Sequence, residues 1–140
     1  MARTGRCACG AVTARINGEP AVVRQCWCRQ CQQAASGGPT HNAMFNTADV
    51  DLTGDLASHD YVAASGNTLT HFFCGKCGTH VYARSSGRPQ FRTVRLGFLD
   101  PDHGLKPQMA IWLDDAPDWA QIDPALLHFA QQPSAPAPKD

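Results

Sequence analysis

A chain of 140 residues with Lys+Arg 12 against Asp+Glu 12 has a formal net charge of +0, which argues against a sequence-independent nucleic-acid binder, since such proteins carry a basic excess. Charged residues are 17% and apolar residues 43%, while Gly 12 and Pro 10 demand frequent turns, so helical bundles, coiled coils and disordered chains are disfavoured. The segment Met1–Gly10 has no apolar core behind it, and no apolar run approaches the roughly 18 residues that span a bilayer. A cytoplasmic protein with no membrane or nucleic-acid partner is therefore expected. Reduced thiols are usual in that compartment, and an odd count of seven cysteines rules out complete internal disulfide pairing.

In chain order, Gly5 to Ile16 predicts a strand through Val12, Ala14 and Ile16, closed by the turn Asn17-Gly18-Glu19-Pro20. Ala21 to Gln25 predicts a short strand, and Gln30 to Ala35 one helical turn stopped by Ser36-Gly37-Gly38-Pro39. Further strands are predicted at His41–Asn46, His59–Ala63, Leu69–Cys74, Thr79–Ala83, Phe91–Gly97 and Met109–Leu113. The rhythm is that of a mainly β, antiparallel domain. Asp123 as N-cap with Pro124 behind it predicts a short C-terminal helix from Pro124 to Gln132. One domain over residues 1–132 is expected, followed by a disordered Pro- and Ala-rich tail at 133–140.

The cysteines fall in three groups: Cys7 and Cys9; Cys26, Cys28 and Cys31; Cys74 and Cys77. Thiolates of a C-x-x-C turn converge on one ion, and a following Gly accepts positive φ at no steric cost. C-x-C on a strand puts both side chains on one face. A structural zinc needs four ligands and a catalytic one keeps an open position, so seven divides as four plus three. Cys26, Cys28 and Cys31 would be the open site, with Cys7, Cys9, Cys74 and Cys77 as a long-range clip. Spacing alone leaves a second pairing open, in which Cys28 and Cys31 join Cys74 and Cys77 in a zinc ribbon.

The order GRCACGAV, CWCRQC, FCGKCGTHVY and IWLDDAPDW resembles the glutathione-dependent formaldehyde-activating enzyme family, which includes centromere protein V, over Gly5 to Phe129. The resemblance implies an Mss4-like fold of small antiparallel sheets around a structural zinc. It implies Cys7, Cys9, Cys74 and Cys77 as structural ligands, and Cys26, Cys28 and Cys31 as ligands of a catalytic zinc. The implied activity is condensation of glutathione with formaldehyde, a carbon–sulfur lyase in the reverse direction. Many members have His where this chain has Trp27 and Arg where it has Gln32. Two other readings stand beside the enzyme: a zinc-stabilised binding module without turnover, and a thiol redox sensor.

The remaining polar candidates are weaker. His41, His59, His71, His80, His103 and His128 are scattered, and His71 and His80 are placed near the structural site as hydrogen-bonding sheet residues. Glutathione carboxylates would need arginines, for which Arg24 and Arg29 beside the second cysteine group and Arg92 and Arg95 on one predicted strand are the candidates; most of them are read as solvated charge, and Arg92 and Arg95 do not share a face of a regular strand. Trp27 either walls the site or anchors its loop. Trp112, Trp119, Phe98 and Phe129 are assigned to the core, and Asp114-Asp115 to a solvated turn.

Overall fold

The computed structural model describes residues 2–134. β1 (Arg3–Arg6) and β2 (Thr13–Ile16) form an antiparallel hairpin, and β5 (Val50–Thr53) pairs with the far side of β2. The second sheet takes β3 (Val22–Cys26), β4 (Thr40–Asn46), β6 (Leu56–Val62), β7 (Thr68–Cys74), β8 (His80–Ser85), β9 (Phe91–Arg95), β10 (Met109–Ile111) and β11 (Leu127–His128). Its order is β11-β10-β3-β4-β9-β8-β7-β6. One short helix, α1 (Arg29–Ala34), follows β3. No helix among the described residues is long and apolar enough to cross a membrane.

Period-two alternation gives the large sheet two different faces. One cross-strand row, Val23–Ala43–Val94–Tyr82, packs with Phe45 and Val81 against Ala14, Ile16 and Val50 of the small sheet. The next row, Arg24–Asn42–Arg95, points to the opposite face, and all three side chains are buried there as well. Burial on both sides makes the central strands near-continuously inaccessible, and the second face forms the wall of a cavity.

Four expectations change. The first predicted strand is broken: Cys7 N–H bonds Val12 O at 3.0 Å and Gly10 N–H bonds Cys7 O at 3.1 Å, so Cys7 and Cys9 sit in a hairpin loop and not on a strand. β5 is an additional strand, four residues long, recognisable only by its pairing with β2. The large sheet is mixed, because β10 runs parallel to both β3 and β11. The C-terminal helix is absent: Asp123 Oδ1 accepts from Ala125 N–H in a single turn, and Leu127–His128 then pairs with β10. Pairing along β10 satisfies Leu127 and Phe129 N–H through Gln108 and Ala110 carbonyls, which overrides a weak local preference. Residues 135–140 of the expected tail lie outside the described residues.

Candidate functional site

Two hairpin loops bring four sulfurs together. Cys7 and Cys9 come from the β1–β2 loop, Cys74 and Cys77 from the β7–β8 loop. Val12 N–H donates to Cys7 Sγ at 3.3 Å and Lys76 N–H to Cys74 Sγ at 3.4 Å, so each loop aims an amide at a sulfur. Gly10 and Gly78, one after each second cysteine, have φ of +81° and +78°, a conformation that side chains with a Cβ resist. Thr79 ties the loops, its hydroxyl accepting from Ala8 N–H at 3.1 Å while lying 3.3 Å from Cys77 Sγ. That hydroxyl, and then the Thr79 amide, hold the Cys77 thiol down at about 5. The Ala11 amide draws Cys9 down, but burial and the neighbouring sulfurs push it up to about 11.

The sulfur spacing tests whether a metal fits. Four thiolates at about 2.3 Å from a tetrahedral zinc lie about 3.8 Å from one another. Here Cys7 Sγ is 3.7 Å from Cys9 Sγ, and Cys9 Sγ is 3.8 Å from Cys74 Sγ. All four ligand atoms lie within 4.8 Å of one another. This cluster can hold a metal ion.

The second cluster comes from the junction of β3 and α1. Cys26 ends β3, Cys28 occupies the N-cap of α1 and Cys31 its first turn, and these three sulfurs also lie within 4.8 Å of one another. Positions three apart at a helix start share a face, which is why this C-x-x-C converges. Gln32, buried, donates from Nε2 to the carbonyls of Trp27 and Asp115, both at 2.8 Å, and pins the loop to a distant turn. Trp27 is buried, with Nε1 donating to Gln25 Oε1 at 2.9 Å, and stands outside the cavity lining; it anchors the loop.

Within the trio the Cys31 thiol is drawn down and its two neighbours are pushed up. The Cys26 and Cys28 thiols, the Arg95 cation and the Thr40 hydroxyl hold it at about 2, against burial that opposes the charge. The same crowding sends Cys26 well above its ordinary value, its neighbours' sulfurs being the leading cause. Three sulfurs so close cannot all ionise unless a cation lies between them, so the donor set fits a divalent metal. The ribbon pairing of Cys28 and Cys31 with Cys74 and Cys77 does not form.

The trio opens on a cavity of about 720 Å³ over the second face of the large sheet. Several residues named from the sequence sit differently here. Arg24 and Arg95 are 5% and 6% exposed, not solvated, while Arg92 stacks on the Tyr82 ring at 4.9 Å on the other face. A chain of hydrogen bonds runs from Arg95 Nη1 to Asn42 Oδ1 at 2.6 Å, Asn42 Nδ2 to Thr40 Oγ1 at 2.9 Å, and Thr40 Oγ1 to Cys31 Sγ at 3.0 Å. Burial pushes Arg24 down to about 10. His71 faces this cavity as well, its pKa lowered by burial to about 4. Tyr61 stands edge-on to it at 5.2 Å.

Trp112 lines the cavity in a left-handed conformation, φ +59°. Phe98 is buried in the core and Phe129 packs beside Cys26 and Ile111, but Trp119 is 68% exposed and leaves the core list. Asp114 and Asp115 are exposed in a 3-10 turn, as the sequence implied. Among the remaining histidines, His41 lies 3.1 Å from Gln25 Nε2 and the His103 ring accepts from Leu105 N–H.

A mainly β protein with two separate cysteine clusters, one of them opening on a cavity, is the class defined by this fold and site. The chain matches the family model described as glutathione-dependent formaldehyde-activating enzyme over residues 2–115, and it belongs to that family. A solved Rhodobacter sphaeroides protein, a structural genomics target, shares 23% identity at a TM-score of 0.57, covering 74% of this chain and 91% of that one. That likeness bears on the fold. No curated protein matches the chain.

Proposed function

We propose that the protein is a zinc-dependent carbon–sulfur lyase that reversibly condenses glutathione, or another thiol, with formaldehyde or a small aldehyde. The observation that carries this reading is the trio Cys26, Cys28 and Cys31, gathered within 4.8 Å on the wall of a large cavity. Membership of the family supports the substrate pair. In this reading, Cys7, Cys9, Cys74 and Cys77 hold a structural zinc and Cys26, Cys28 and Cys31 a catalytic one, two ions in all. The protein acts in the cytoplasm as a single Mss4-like domain over residues 1–132, without nucleic acid or membrane.

Bound zinc at the trio supplies Lewis acidity that favours the thiolate form of an incoming thiol. The chain's own residues hold the trio in place. Thr40, steadied by Asn42 and Arg95, fixes the Cys31 sulfur through its hydroxyl. Gln32 fixes the loop carrying all three cysteines. The cavity holds the reactants together, and proximity is the larger part of catalysis for an addition this easy. In that addition the S–H bond and the carbonyl π bond break, an S–C bond forms, and the carbonyl oxygen takes the π electron pair and gains the proton. No oxidant or reductant is required.

NMR exchange spectroscopy between free and glutathione-bound formaldehyde tests the reading. Faster exchange with the protein, lost in Cys28→Ser, supports it; exchange unchanged by the protein refutes it.

A further inference from the structure

The Arg24–Asn42–Arg95 row places two guanidiniums on the cavity wall, one on each side of an amide. Arg95 has one nitrogen committed, Nη1 to Asn42 Oδ1. Its Nε and Nη2 are buried with no hydrogen-bond partner among the described residues. These two N–H groups lie on the same edge of the guanidinium and point in parallel, the edge that meets both oxygens of a carboxylate. Leaving two such donors buried and idle is costly, so a site that does so is built for an acceptor that arrives from elsewhere.

Among the described residues no carboxylate fills that role. Among the described residues the one ion pair is Arg3–Glu19, far from the cavity in the fold. The cavity wall carries Arg24, Arg29, Arg84, Arg88 and Arg95, and its acidic member is the exposed Asp115. Like charges gathered in a partly desolvated wall favour an anionic occupant. Arg95 lines the same cavity as Cys26, Cys28 and Cys31, and its remaining nitrogen, Nη1, is held through Asn42 and Thr40 to Cys31.

We propose that the Nε–Nη2 edge of Arg95, backed by Arg24, is a subsite for a carboxylate of the thiol substrate. The proposal rests on the thiol–aldehyde reading and adds the residue that would select an anionic thiol over a neutral one.

The test follows the Arg95 Nε–H resonance of the metal-replete protein during titration with S-methylglutathione, its diethyl ester and acetate. The signal is assigned by its loss in Arg95→Lys. S-methylglutathione and acetate are expected to move it saturably, with the diester binding about tenfold more weakly than the diacid. Arg24→Met is expected to narrow that ratio, and Arg92→Met, on the other face, to leave it intact. An unmoved Arg95 signal, or equal binding of diacid and diester, overturns the subsite while leaving glutathione as substrate. Inorganic phosphate binding there more tightly than acetate overturns the carboxylate assignment. Acetate moving Arg95 while neither peptide binds upholds the subsite and counts against glutathione as its occupant.

Discussion

Thr40 and Cys31 are joined by a 3.0 Å hydrogen bond in which the hydroxyl donates to Sγ. Thr40 stands opposite Cys26 across the β3–β4 pair, so one residue of β4 meets the trio at both its β3 end and its α1 end. Thr40→Val keeps the shape and removes the donor. It is expected to lower kcat/KM for the thiol–formaldehyde condensation by about tenfold with little change in Tm. Steady-state kinetics beside a melting curve check this; unaltered kinetics would remove Thr40 from the account.

The two clusters should fail differently when a sulfur is lost. Cys28→Ser is expected to fold and to hold about half the metal of the parent, because the four-thiol clip is untouched. Cys77→Ser opens the clip between the β1–β2 and β7–β8 loops and is expected to cost more than about 3 kcal/mol of stability. Metal analysis with denaturant unfolding separates them, and equal total metal loss in both would contradict two independent sites.

Gln32 offers a stability test at the site. Its amide satisfies the Trp27 and Asp115 carbonyls from a buried position. Gln32→Leu leaves both acceptors stranded and is expected to cost about 2 kcal/mol, read from urea unfolding. A cost near zero would mean the loop is held by Trp27 alone.

Burial holds His71 at about 4, below the ordinary 6.5. The unfolded chain therefore binds this proton first as pH falls. His71 contributes full stability above about pH 6.5, and that contribution is lost as pH drops from there through 4. His71→Asn is expected to flatten the stability slope between those values. A slope unchanged by the substitution would show that His71 does not titrate in this way.

Much of the frame was legible because its signals are local. Turn residues such as Asn17-Gly18 and Gly37-Gly38 separate strands whose apolar residues alternate, and the three cysteine groups read from spacing. The C-x-C pair was placed on a strand because the strand pattern through Val12 and Ile16 continues smoothly into it; only the hairpin hydrogen bonds of Cys7 reveal the loop. A charge on a strand usually faces water, which is all that the local pattern around Arg24 and Arg95 implies. They are buried because both faces of the central strands are covered, which depends on the order of all eight strands in the sheet. The C-terminal helix failed for the same reason, since pairing of Leu127–His128 with β10 is a long-range event that no cap signal reports.

Anomalous scattering at the zinc edge, from reduced and metal-replete crystals, addresses the central claim most directly. The account predicts two peaks, one enclosed by the sulfurs of Cys7, Cys9, Cys74 and Cys77, the other against those of Cys26, Cys28 and Cys31. A single peak in the four-sulfur cluster, with the three remaining sulfurs bare, would contradict it.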